Sequence, residues 1–283
     1  MITKLGLILE SIKFEHTVFA LPYAYIAMIL AADGMPTLHD FAWITIAMGA
    51  ARTLAMSANR LIDRHIDAEN PRTAARHLPA GIIQVKEMMA ISLVSLGVFF
   101  VSAYQLNTLC VILAPVAVLV VVIYPYTKRF TWACHFILGF ADGIAPAGAW
   151  IAVTGSLSWE ATLIAFAVAT WIGGFDILYS CQDYEFDIRN GLYSLPQRFG
   201  VYNAMKFAKI MHVFTIISFV LLGTWLSLAF PYYIGCVLAA ALLTYEHRLV
   251  SPTDLSKINL AFFNINGYIA IILFVCTIAS IYV

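Results

Sequence analysis

Charge is scarce in this chain: only 11% of its 283 residues are Asp, Glu, Lys or Arg. An average soluble domain carries about 25%. A water-facing surface cannot be assembled from so few polar groups, which excludes a soluble enzyme and equally a disordered chain. The 16 basic residues are balanced by 16 acidic ones, so no overall positive field exists to hold a nucleic acid. The five cysteines (Cys110, Cys134, Cys181, Cys236, Cys276) are odd in number and contain no Cys-x-x-Cys pair. They read as small core residues and exclude a disulfide scaffold. The seven histidines show no HxxxH or HExxH spacing, which argues against zinc. The first apolar stretch does not end in a small-residue cleavage site, so it reads as a spanning helix and not as a removed signal.

Apolar residues fill the gap. They make up 62% of the chain, with a mean hydropathy of +0.86. A helix crossing a bilayer needs about 20 of them in succession. Nine such segments are expected: Phe14–Ala32, Phe41–Ala58, Met88–Tyr104, Thr108–Ile123, Trp132–Val153, Ala161–Ser180, Phe207–Ala229, Tyr232–Tyr245 and Leu260–Val283. The expected fold is all-α and polytopic, with about nine helices around one central cavity and residues 1–283 forming one domain.

Basic residues set the orientation. The connections at Asp33–Asp40, Gln105–Asn107, Thr154–Glu160 and Phe230–Tyr232 contain no Lys or Arg. Every basic residue except Arg52 falls on the alternate side, from Lys4 and Lys13 through Arg72, Arg76 and Lys128 to Lys257. The N-terminus and those loops are therefore expected to be cytoplasmic.

Charges within membrane segments are costly and mark function. Arg52 lies inside the second span, followed at helical spacing by Asn59, Asp63 and Asp67. At about 100° per residue these four share one face of a helix. The sixth span repeats the device with Asp176, Tyr179, Asp183 and Asp187. Both spans run in the same direction, so the two halves read as pseudo-repeats facing one cavity. A single DxxxD can be a solvated helix tip. Two of them, each with an aligned polar residue deeper in the helix, point to a site.

Carboxylates at i and i+4 repel, and a divalent cation relieves the repulsion. Oxygen-only donors without His or Cys suit Mg²⁺ bridging a diphosphate. The first motif leads directly into a loop, residues 59–87, where Arg72 and Arg76 could clamp phosphate oxygens. The second opens the loop of residues 181–206, and Tyr124 and Lys128 close the fourth span.

Asn59-x-x-x-Asp63-x-x-x-Asp67, Tyr124-x-x-x-Lys128, Asp183-x-x-x-Asp187, Tyr179, Arg52, Arg72 and Arg76 together resemble the UbiA superfamily of intramembrane aromatic prenyltransferases. The resemblance covers nearly the whole chain. It implies an integral protein of the bacterial inner (plasma) membrane that moves a polyprenyl group from polyprenyl diphosphate to an aromatic ring. Asp63, Asp67, Asp183 and Asp187 would hold Mg²⁺ and serve catalysis, and the product would enter ubiquinone or menaquinone biosynthesis. Many members use 4-hydroxybenzoate, whose carboxylate would suit Arg52. This sequence departs from their pattern at Glu185 and at Leu192-Tyr193-Ser194-Leu195-Pro196, where a Lys-Ser-Thr run is usual. Its Lys13–Pro22 and Gln182–Asp187 stretches look more like a UbiA-like branch, some of whose members are thought to prenylate aminodeoxyfutalosine.

Asp142, amid small residues of the fifth span, is expected either to line the acceptor end of the cavity or to pair with Arg52. A reading from another class, a membrane transporter with charged gates, would put its substrate groups near the midplane.

Overall fold

The computed structural model describes residues 4–12 and 17–283. Residues 13–16, which include Lys13 and the expected start of the first span at Phe14, lie outside the described residues. Within them the chain is helical and contains no β-sheet. Nine helices have fifteen residues or more: α2 (Thr17–Ala31), α3 (Leu38–Glu69), α4 (Val85–Leu106), α5 (Thr108–Thr127), α6 (Cys134–Thr154), α7 (Trp159–Ser180), α10 (Val201–Trp225), α11 (Phe230–Leu249) and α12 (Asn266–Ile281). Three shorter α-helices, α1 (Lys4–Ser11), α8 (Tyr184–Asn190) and α9 (Leu195–Phe199), a 3₁₀ turn at Cys181–Asp183 and a π-helical stretch at Leu260–Ile265 complete the set among the described residues. Seven runs among the described residues are long and apolar enough to cross a bilayer. The exceptions are α2, described from Thr17 onward, and α11, whose apolar stretch is flanked by Tyr232, Tyr233, Glu246, His247 and Arg248. Large apolar side chains such as Leu93, Ile112, Leu119 and Val213 are more than half exposed, an exterior made for lipid.

Helix α3 shows how the sequence delivers the site. Thr37 caps its N-terminus by accepting from the Asp40 N–H, and nothing inside the helix breaks the ladder. Its 32 residues span about 48 Å at 1.5 Å per residue, well beyond a hydrocarbon layer of about 30 Å. The excess carries Asn59–Asp67 past the apolar zone. Pro71 then stops the helix, since Pro disfavours the α conformation in the residue before it.

The second motif, expected to open a loop after Ser180, is instead helical almost throughout. After α7 the chain tightens into a 3₁₀ turn, Cys181–Asp183, before α8 resumes. The Cys181 N–H is shared between the Leu178 and Tyr179 carbonyls. Gly191, at φ +63°, ends α8 in a conformation glycine adopts without cost. Asp176 therefore sits on α7 and Asp187 on α8, on either side of the turn.

Helices α2, α6, α7, α10, α11 and α12 pack into one solid apolar core in which Tyr23 lies 4.6 Å from Trp171, ring to ring. Small residues allow α6 and α7 to touch: a Cβ on Gly139 would strike the Ala169 carbonyl oxygen, and one on Gly143 would come within 2.5 Å of the Ala165 carbonyl oxygen. Space remains on the other side. Helices α3 to α7 wall an apolar groove of about 520 Å³. Directly along α3, α5, α6 and α7 lies a polar pocket of about 230 Å³.

Candidate active site

The polar pocket is assembled from five pieces of chain that meet at one end of the bundle. Asn59 and Arg60 come from the end of α3, and Arg72 and Arg76 from the following loop. Tyr124 and Lys128 come from the end of α5, and His135 and Leu138 from the start of α6. Asp176, Tyr179, Asp183, Asp187 and Ser194 come from the end of α7 and the α8–α9 segment.

Each motif carboxylate is held by a positive or hydrogen-donating group. Asp63, only 3% exposed, faces Lys128 Nζ at 2.7 Å and Arg129 Nη2 at 3.1 Å. Asn59 Nδ2 donates to it at 3.2 Å and to the Tyr124 hydroxyl at 3.1 Å. Arg76 Nη1 donates to both oxygens of Asp67 at 2.8 Å, with Arg60 Nη1 further off at 3.9 Å. Arg72 grips Asp183 as a fork, Nε to Oδ1 at 2.9 Å and Nη2 to Oδ2 at 2.6 Å. Its remaining Nη1 donates to the Tyr179 hydroxyl at 3.1 Å, while the guanidinium carbon lies 5.1 Å from the centre of the Tyr179 ring. Asn70 Nδ2 adds a third bond to Asp183 at 2.9 Å. Burial works against the Arg72 charge, but the Asp183 bonds and charge outweigh it and hold its pKa above the ordinary value. Asp187 receives the Ser194 hydroxyl at 2.7 Å.

Asp63, Asp67, Asp183, Asp187, Asn59, Arg72, Arg76, Tyr124, Lys128, Asp176 and Tyr179 are thus brought to one end of the bundle. Arg52 and Asp142 are not: among the described residues neither lines the polar pocket or the apolar groove. They sit deeper and half-buried, within electrostatic reach of each other but with no ion pair within 4 Å. The Asp142 charge also reaches Tyr124 and Asp176. Arg52 Nε is buried without a hydrogen-bond partner.

Sequence reasoning missed Arg60, Asn70, Arg129, His135 and Ser194. Arg60 and Arg129 stand beside motif residues and could have been noticed on that ground. His135 carries no sequence signal, because its partner Asp176 lies 41 residues away.

The donor set is all oxygen where the four carboxylates stand, as a hard divalent cation requires. Among the described residues no three His, Cys, Asp or Glu side chains are gathered into a ready cluster. Arginine and lysine occupy Asp63, Asp67 and Asp183 instead, and the Ser194 hydroxyl occupies Asp187, so the residues fit the ion once those groups turn away.

A profile of the UbiA prenyltransferase family matches residues 20–268. The chain belongs to that family. As a UbiA prenyltransferase it is 29% identical over 255 residues to the 4-hydroxybenzoate octaprenyltransferase of Aliivibrio fischeri (strain ATCC 700601 / ES114), covering 90% of this chain and 89% of that protein. The protein of the same name from Vibrio cholerae serotype O1 (strain M66-2) is 29% identical over 243 residues, covering 86% and 85%. Among solved structures, the apo UbiA homolog from Aeropyrum pernix K1 superposes with a TM-score of 0.86 at 30% identity, over 94% of this chain and 98% of that one. The Archaeoglobus fulgidus UbiA homolog bound to GPP and Mg²⁺ shares the fold, with a TM-score of 0.70 at 20% identity over 98% and 100%. This UbiA chain is accordingly an integral membrane prenyltransferase.

Proposed function

We propose that the protein transfers a polyprenyl group from polyprenyl diphosphate to the ring of 4-hydroxybenzoate, with Mg²⁺, in quinone biosynthesis. The observation that carries this reading is the stacking of a cation-rich, carboxylate-rich pocket on an apolar groove along the same four helices. A diphosphate headgroup with a long hydrocarbon tail has that polarity. The names of the curated relatives and the Mg²⁺-bound fold neighbour support the same substrate pair.

Asp63, Asp67, Asp183 and Asp187 would hold the Mg²⁺, which when bound neutralises charge on the departing diphosphate. The cations now resting on those carboxylates have a second use. Arg72, Arg76 and Lys128 turn to phosphate oxygens, and the charge of the carboxylates they leave would be balanced by the Mg²⁺ held there. Donors already aimed at the place where negative charge grows lower the barrier without reorganising in the transition state. Tyr124 and Asn59 form the floor of the pocket. The apolar groove receives the tail and excludes water from the allylic cation. Arg52, with a free buried donor, attracts the acceptor carboxylate from the deep side, next to Asp142. The site faces the cytoplasm by the distribution of basic residues, and residues 1–283 act as one domain.

The test uses protein purified in detergent with polyprenyl diphosphate, Mg²⁺ and a panel of acceptors, followed by mass spectrometry. A prenylated 4-hydroxybenzoate is expected. Prenylation of aminodeoxyfutalosine alone would move the acceptor assignment to the branch that the Lys13–Pro22 and Gln182–Asp187 stretches resemble. No product with any acceptor, together with uptake of a solute by protein-containing vesicles, would replace the enzyme by a transporter.

A further inference from the structure

The run Leu192-Tyr193-Ser194-Leu195-Pro196 departs from the family pattern, yet it is wired into the site at every turn. The Tyr193 N–H donates to the Lys128 carbonyl at 2.7 Å. The Ser194 hydroxyl donates to Asp187 and accepts the Gln197 N–H at 3.2 Å, capping α9. Leu195 is the first residue of α9, so its N–H has no acceptor within the helix. It finds one outside, at His135 Nε2, 3.3 Å away.

That contact settles the state of the imidazole. A backbone N–H can only donate, so Nε2 must be the acceptor and the ring proton must sit on Nδ1. His135 Nδ1 lies 2.6 Å from Asp176 Oδ2 and therefore donates to it. The imidazole is buried, its side chain 5% exposed, while Asp176 keeps 25% of its side chain open and lines the polar pocket. One carboxylate oxygen is thus fixed by a buried, tautomer-locked histidine. The other, Oδ1, takes no hydrogen bond from the described residues.

We propose that Asp176 is the base that takes the proton released by the aromatic acceptor, and that His135, locked by the Leu195 N–H, is its positioning residue. The inference rests on the transfer reading above. In the step, the allylic C–O bond breaks and its electron pair leaves with the diphosphate. A ring carbon supplies a π pair to form the new C–C bond. The C–H pair of that carbon returns to the ring, and its proton passes to Asp176 Oδ1. A carboxylate already anchored through its other oxygen keeps this second oxygen aimed at the ring throughout.

The experiment compares turnover of 4-hydroxybenzoate with its ring-deuterated form, in wild type and in His135→Ala, His135→Asn and Asp176→Asn. An Asn side chain can still donate from near the Nδ1 position. Wild type is expected to show no isotope effect, because C–O cleavage limits the rate. Asp176→Asn and His135→Ala are expected to show a clear primary isotope effect and a kcat lowered about 10²-fold, with the KM for polyprenyl diphosphate unchanged. His135→Asn is expected to recover most of kcat and to lose the isotope effect. Wild-type transfer with an isotope ratio of one in every variant would overturn this inference alone. So would a loss confined to the KM for the diphosphate. Absence of transfer by wild type would overturn the transfer reading, and with it this one.

Discussion

Replacing Arg72 by Lys separates the two jobs assigned to the loop arginines. In the structure Arg72 makes two bonds to Asp183, one to the Tyr179 hydroxyl, and a stacking contact with the Tyr179 ring. Lysine keeps the charge but is a single point, unable to make the fork or the planar contact. A charge-assisted hydrogen bond is worth about 1.5–3 kcal/mol net, and a cation–π contact about 0.5–1 kcal/mol at an exposed site. The Arg72 and Asp183 side chains remain 30% and 18% exposed, so solvent screening brings the loss to about 1–2 kcal/mol. In turnover the same fork serves the phosphates, and the loss appears there as a rise of about 5–30-fold in KM for polyprenyl diphosphate. The assay is initial rate against diphosphate concentration at saturating acceptor. An unchanged diphosphate KM, or a rise in acceptor KM alone, would refute the reasoning.

Three further outcomes follow from the same geometry. Arg76→Ala leaves the buried Asp67 carboxylate, among the described residues, with only Arg60 at 3.9 Å and is expected to cost about 1–3 kcal/mol, seen as a fall in thermal midpoint in detergent. Ser194→Ala removes the hydroxyl at 2.7 Å from Asp187 and is expected to raise the Mg²⁺ concentration needed for half-maximal activity about 10-fold; an unchanged metal titration would count against Asp187 as a ligand. Gly139→Ala drives a methyl group into the Ala169 carbonyl, forcing α6 from α7 at about 1–3 kcal/mol, while Gly97→Ala, with nothing within 4 Å, is expected to be neutral in the same unfolding measurement.

What the sequence reveals and what it hides divides along physical lines. The spans are legible because a bilayer imposes length and apolarity on each helix separately. The acidic motifs are legible because i, i+4 spacing reports a shared helix face, and Asn59 indeed donates to Asp63. Pairings between helices leave no such trace. Arg72 and Asp183 are separated by 111 residues, and Asn59 and Tyr124 by 65; only the fold joins them. Nor does the sequence show where the loop cations rest: Arg72, Arg76 and Lys128 lie on the motif carboxylates. The 3₁₀ turn at Cys181–Asp183 was hidden because it changes hydrogen-bond pattern without changing composition. His135 was invisible for a simpler reason: a histidine near a helix start gives no sign of which carboxylate it will meet.

The central claim is that the two acidic motifs act together on one diphosphate while its prenyl group moves to a ring. The direct measurement is the stoichiometry of diphosphate released to prenylated 4-hydroxybenzoate formed by the purified protein, with and without a chelator. One diphosphate per product is expected, both falling to background on chelation and in Asp63→Ala and Asp183→Ala alike. Transfer that persists at wild-type rate in either variant, or diphosphate release without any prenylated product, would contradict it.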